Sequence, residues 1–218
     1  MALEIREDVA RALAEDIGTG DVTARLVPSS ARAHARVVTR EPAVLSGTPW
    51  FEECFHQIDR EVGIHWNARD GDRLVSGQIV CEIDGRARSL LSAERTSLNF
   101  LQTLSAVATK TRAFVDAVAG TKSAILDTRK TLPGLRVALK YAVRCGGGTN
   151  HRMGLYDGIL IKENHIASAG GIGPALAQAR KVAPAVPMEI EVENIDQLKE
   201  AIAAGAKQIG RASCRERV

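Results

Sequence analysis

Between Asp127 and His165 five cationic residues of this chain stand in three tight groups, and each group stands where an ordered run gives way to a loop. The stretch begins D-T-R-K-T-L-P-G-L-R at Asp127. A short helical segment follows, and then G-G-G-T-N-H-R-M-G-L-Y-D-G-I-L-I-K-E-N-H, ending at His165. Arg129 and Lys130 come just after Ile125-Leu126, an apolar run that predicts a buried strand ending at Asp127. Lys162 comes just after Ile159-Leu160-Ile161, which predicts another. His151 and Arg152 follow the run Gly146-Gly147-Gly148. Charges just past the carboxyl ends of successive parallel strands can converge on one crevice, where α/β sheets and barrels bind ligands. Arg offers carboxylate or phosphate a planar fork, and Lys offers a point charge. Any one of these residues alone reads as a solvated surface charge. Five together at element ends predict a pocket for a polyanion.

The rest of the chain supplies a frame for such a pocket. Leu3 to Ile17 has helical periodicity, with Ile5, Val9, Leu13 and Ile17 on one face. Gly18-Thr19-Gly20-Asp21 reads as a stop and turn; without a preceding strand it is no dinucleotide fingerprint. Strands are predicted at Ala33–Thr39, Ala43–Ser46, Ile64–Trp66 and Ile79–Ile83, with a short helix over Trp50–Ile58. Asp84-Gly85 is a hairpin signal, with Arg86–Leu90 as the returning strand. G-D-R-L-V-S-G-Q before that hairpin has the look of a swinging-arm carrier module. Such a module needs a lysine at the tip, and this tip is Asp84-Gly85-Arg86, so the likeness is architectural.

A long helix is predicted over Ser92–Ala119 with Ser92 as its N-cap. Arg95 would then lie in the first turn, where the helix dipole disfavours a cation. From Gly120 the rhythm becomes strand, loop, helix: strands at Ala124–Asp127, Gly158–Lys162, Met188–Val192 and Lys207–Ile209, helices at Leu135–Cys145, Pro174–Val182 and Ile195–Ala204. Repeated β-α units predict a parallel sheet or barrel. Glu189, Glu191 and Glu193 alternate, so all three are expected on one side of their strand. Cys145, His151 and His165 have no zinc-site spacing, and His165 reads as a structural histidine beside Lys162.

Composition excludes several classes. At 218 residues with 45% hydrophobic and 25% charged residues, the chain is expected to bury a core as one large or two modest domains. No apolar run approaches the roughly 20 residues that span a bilayer, and no secretory leader is expected. Four cysteines without paired spacing predict reduced thiols in the cytoplasm. The net charge of +3 falls to +1 without residues 211–218, which makes no case for nucleic acid.

D-T-R-K-T-x-P-G-x-R followed by G-G-G-x-x-H-R-x-G-L-x-D-x-x-L-I-K-x-N-H resembles the quinolinate phosphoribosyltransferases, and the likeness runs from about Ala12 to Ile209. It implies an α/β fold: an N-terminal α/β sandwich domain over 1–106, similar to a barrel-sandwich hybrid, then an incomplete, TIM-like α/β barrel over 107–209. It implies transfer of phosphoribose from phosphoribosyl pyrophosphate to quinolinate with loss of carbon dioxide, giving nicotinate mononucleotide and pyrophosphate, a step of de novo NAD biosynthesis. Arg129, Arg152 and Lys162, with Arg95 reaching across a homodimer, are implied to hold quinolinate and neighbouring phosphate. Thr128, Lys130 and His151 complete that wall, with Lys130 as the general acid. Glu191 is implied to bind ribose hydroxyls or the Mg2+ that accompanies phosphoribosyl pyrophosphate. The pattern breaks after Ile209: an aspartate is expected where Ala212 stands, and residues 210–218 read as an anomalous, foreign-looking tail on a truncated barrel. The 218-residue chain is therefore expected to be inactive as written. The alternatives are a paralogous phosphoribosyltransferase with another substrate, and a chain that only dimerises.

Overall fold

In the computed structural model residues 1–211 are described, and they form two compact units, Met1–His151 and a second beginning at Arg152. The first unit opens with helix α1 (Ala2–Ile17), whose buried residues Ile5, Val9 and Leu13 recur at the spacing that marks one helical face. After a 3-10 turn at Ala24–Leu26 come β1 (Arg32–Val38), β2 (Ala43–Val44), α2 (Thr48–Ile58), β3 (Gly63–Trp66), β4 (Arg73–Leu74) and β5 (Ile79–Arg86). Strands β1, β5 and β3 form an antiparallel sheet with β5 in the centre, and β2 pairs antiparallel with β4.

Two cores lie beneath these elements. Phe51 and Phe55 of α2 pack with Leu45, Val80, Cys81, Ile83, Leu90 and Leu101, and Trp66 meets Phe51 edge-on at 5.3 Å. Helix α1 packs on Trp50, Cys54, Leu104, Ala138 and Ala142. Each large side chain buried this way contributes roughly 1.5–3 kcal/mol. Asp8 enters the second core because it is answered there: Trp50 Nε1 donates to it at 3.2 Å, and Arg11 pairs with it.

The predicted hairpin at Asp84-Gly85 does not form. Strand β5 runs straight through both residues, pairing with β1 as far as Arg86, and the chain then enters helix α3 (Ala87–Ala117). Gly85 is small for packing and not for turning, since a Cβ there would stand 3.0 Å from Val62 Cγ2 and 3.2 Å from Leu90 Cδ2. Because α3 starts at Ala87, Ser92 is no N-cap; its hydroxyl donates to Asp21 at 2.8 Å, and Arg95 sits in the third turn. The predicted strand at Ala124–Asp127 is only an isolated parallel bridge between Leu126 and Thr149. Helix α4 (Arg136–Cys145) lies between the two sides of that bridge in sequence.

The second unit alternates β6 (Ile159–Ile161), α5 (Glu163–Ala169), α6 (Ile172–Val182), β7 (Met188–Val192), α7 (Ile195–Ala203) and β8 (Gln208–Arg211). Helix α5, absent from the sequence reading, is capped by His165, whose Nδ1 accepts from the Lys162 amide at 3.0 Å. The strands form a parallel sheet in the order β6-β7-β8. Ile161, Ile190 and Val192 are buried with Ile172, Leu176 and Ala201 in one core, so one face of the sheet is covered by its helices. No helix of the described residues is long and apolar enough to cross a membrane.

Candidate active site

In the first unit the site is built on the Leu126–Thr149 bridge. The Asp127 amide donates to the Thr149 carbonyl at 3.1 Å, and the Thr149 amide to the Ile125 carbonyl at 2.8 Å. Two loops therefore leave the bridge side by side, one carrying Thr128, Arg129 and Lys130, the other Asn150 and His151. The first is held in a tight turn by the Lys130 amide on Thr128 Oγ1 at 3.1 Å, and by Arg136 donating to Thr131 Oγ1 at 3.2 Å and to the Arg129 carbonyl at 3.4 Å. Thr128 and Lys130 are exposed and Arg129 is half-buried. Arg129 Nε is buried without a hydrogen-bond partner, an unanswered donor on a cation.

Beneath these loops lies a buried charge pair. Lys140 of α4, 2% exposed, pairs with the carboxylate of Asp127, 6% exposed. That carboxylate also accepts from Asn150 Nδ2 at 2.5 Å and from the His151 amide at 2.8 Å. Lys140 Nζ donates in turn to the His151 carbonyl at 2.9 Å, and Asn150 to the Lys140 carbonyl at 2.9 Å. Lys140 and Asn150 did not stand out in the sequence. Lys140 sits about 200° round the helix from the buried alanines Ala138 and Ala142, where an amphipathic pattern predicts solvent.

The Gly146-Gly147-Gly148 run belongs to packing. A Cβ on Gly146 would lie 2.5 Å from the Ala108 carbonyl oxygen of α3 and 2.6 Å from Thr111 Cβ. A Cβ on Gly148 would lie 2.7 Å from Val143 Cγ1, and Gly147 has φ +85°. Arg95 stands exposed on α3, with no ion-pair partner among the described residues.

In the second unit Arg152, half-buried, donates to the Gly158 carbonyl at 3.3 Å. Between them the Asp157 carboxylate accepts from the Met153 amide at 2.7 Å and the Gly154 amide at 3.0 Å, which closes the M-G-L-Y-D turn. Leu160, Glu189 and Gln208 pair across the three strands, and Glu191 pairs with Gly210, so these residues occupy the sheet face opposite the core. At the carboxyl end of that face Lys162 Nζ stands 3.7 Å from the Glu191 carboxylate. A Cβ on Gly210 would lie 2.6 Å from Glu189 Oε1 and 3.5 Å from Glu191 Cγ, so both glutamates share this side. Glu193 does not join them: β7 ends at Val192, and the Glu193 amide donates to Gln197 Oε1 at 2.7 Å, beside the Asn194 cap of α7. Ala212 and the rest of the anomalous tail lie outside the described residues. No cluster of three or more His, Cys, Asp or Glu that could hold a metal occurs among the described residues. On this face the Glu191 carboxylate is one oxygen group that could join a cation held mostly by other ligands.

Residues 21–105 match the model of the quinolinate phosphoribosyl transferase N-terminal domain, and residues 107–210 that of the C-terminal domain. The chain is 44% identical over 213 residues to a Bacillus subtilis protein named "Probable nicotinate-nucleotide pyrophosphorylase [carboxylating]", covering 97% of this chain and 74% of that one. It is 46% identical over 200 residues to the nicotinate-nucleotide pyrophosphorylase [carboxylating] of Mycobacterium leprae, covering 88% of this chain and 69% of that one. The structure of the nicotinate-nucleotide pyrophosphorylase from Francisella tularensis superposes with a TM-score of 0.91 at 44% identity, over 96% of this chain and 74% of that one. Family models, relatives and fold agree along almost the whole sequence, and the chain belongs to the quinolinate phosphoribosyltransferase family.

Proposed function

We infer that this protein transfers phosphoribose from phosphoribosyl pyrophosphate to quinolinate and decarboxylates it, giving nicotinate mononucleotide, pyrophosphate and carbon dioxide. The observation that carries the reading from family to chemistry is Arg129. It stands beside Lys130 and His151 on loops fixed by one bridge, with a buried guanidinium N–H that no protein acceptor answers. A carboxylate of quinolinate, a pyridine dicarboxylate, would pair with the accessible part of that half-buried guanidinium through charge-assisted hydrogen bonds.

The chemistry asks for positioning and electrostatics. The pyridine nitrogen bonds to ribose C1 as the C1–O bond to pyrophosphate breaks, and positive charge builds on the ribose in the transition state. Carbon dioxide then leaves from C2, and the electron pair left there takes a proton. In this reading Arg129 holds a quinolinate carboxylate. Thr128 and His151 line its wall, and Lys130 is the cation that meets the charge at C2 and donates the proton. Arg152 and Lys162 are assigned to substrate anions. Glu191 is assigned to ribose hydroxyls and to the Mg2+ of phosphoribosyl pyrophosphate, which when bound neutralises the departing pyrophosphate. Arg95, exposed on α3, is assigned to the partner's site in a homodimer. A cytoplasmic setting accords with Cys54, Cys81 and Cys145, all free thiols.

The test is carbon dioxide release from carboxyl-labelled quinolinate with phosphoribosyl pyrophosphate and Mg2+. It should be run on the 218-residue chain and on the same chain continued to the full length of its relatives. Release that depends on all three components in either form supports the reading. Release from neither form, with both folded, would point to a paralogue acting on another substrate. Release only from the longer form would bear out the expectation that the 218-residue chain is inactive, and release from both would end it.

A further inference from the structure

We propose that the buried Lys140–Asp127 pair is a positioning device that sets the loops of Thr128–Lys130 and His151 in their binding arrangement before any substrate arrives; this rests on the reading of those loops as the quinolinate wall.

A buried ion pair is a poor way to stabilise a fold, because desolvation offsets most of the attraction and apolar replacements are often neutral. The packing of α4 does not depend on this one, since Ala138 and Ala142 already seat the helix against the core of α1 and Trp50. What the pair does is geometric. The His151 backbone is gripped on both sides, its amide by the Asp127 carboxylate at 2.8 Å and its carbonyl by Lys140 Nζ at 2.9 Å. The same carboxylate holds Asn150 at 2.5 Å, and Asp127 is the residue immediately before Thr128. One carboxylate and one ammonium thus fix both loops relative to each other and to α4. Every partner of the Asp127 oxygens is a donor, so the carboxylate is compensated without water. Loops that meet the substrate already ordered lose less conformational freedom on binding, and a small displacement of such groups is enough to weaken binding or rate by orders of magnitude.

The device can be tested without leaving a bare charge in the interior. Asp127→Asn combined with Lys140→Met removes both charges at nearly constant volume. The expected result is a folded chain with cooperative unfolding near that of the unaltered protein and at least about tenfold weaker quinolinate binding by calorimetry. A merely structural pair would move the unfolding midpoint and leave the affinity of the folded form alone, so quinolinate binding within about twofold of the unaltered chain overturns the proposal. If the double variant does not fold, amide hydrogen exchange of the unaltered chain decides. Protection of the His151 amide without ligand supports preorganisation, and exchange at the open-chain rate until quinolinate is added overturns it. Failure of the unaltered chain to bind quinolinate would instead count against the functional reading, and the exchange measurement would still decide this inference.

Discussion

Arg129 and the cysteines mark two extremes of side-chain environment in this molecule. Arg129 keeps one donor unanswered. Arg129→Lys preserves the charge and removes the planar fork, so KM for quinolinate should rise by about tenfold or more, with kcat changed far less; steady-state kinetics with quinolinate varied would read this. Cys54 and Cys81 are fully buried, and burial pushes both thiols up from 9.0 to about 12. A raised pKa in the folded state favours the neutral thiol there. Its stabilising contribution is complete below about pH 9 and is lost as pH rises from 9 through 12. The midpoint of urea unfolding should fall across that window. Peptide mapping after iodoacetamide at pH 8 should find neither thiol alkylated until the chain is denatured. Residue types at the site were legible in the sequence because charge density at element ends is unusual. Lys140 was not: it is one lysine in a short amphipathic helix, and its burial depends on two loops whose folding no local pattern announces.

At the scale of elements, the helices with strong apolar periodicity stood where the sequence placed them, α1 and α2 within two residues. Errors came where one residue type serves two physical purposes. Gly85 signals a turn and is used here for close packing within a strand. Ser92 signals a helix start and is used to bind Asp21. Ile125-Leu126 has the composition of a strand, yet its pairing is limited to a single bridge with Thr149. Likewise the three glycines after α4, which lead in sequence to His151 and Arg152, serve the close packing against α3. Gly146→Ala should therefore destabilise by about 1–3 kcal/mol, because the nearest obstacle is the backbone of Ala108 and not a side chain that can swing away. Asn194→Ala removes the cap that accepts from the Gln197 amide at 2.9 Å, at a cost of about 1 kcal/mol. Chemical denaturation of both variants measures these values.

For the whole molecule, the change of rhythm expected at Gly120 does not coincide with the division into compact units, which falls between His151 and Arg152, because α4 packs with α1 and Trp50 in the first unit. The proposed placement of Arg95 in a partner's site concerns an assembly and is tested there. Mixing chains bearing Arg95→Ala with chains bearing Lys162→Ala, each inactive alone, should restore activity to about a quarter of the unaltered level. Half of randomly assorted dimers are then mixed, and each mixed dimer has one intact site of two. No recovery after verified exchange of subunits would place Arg95 outside the partner's site.

The Lys140–Asp127 contact also bears on how the sequence can drift over evolutionary time. Replacing either residue alone strands a charge in the interior, so the fit intermediates between one pairing and another are few. Positions 127 and 140 should consequently change together or not at all among descendants of this gene, and a lineage with only one of the two altered should also carry a third change nearby that restores a partner.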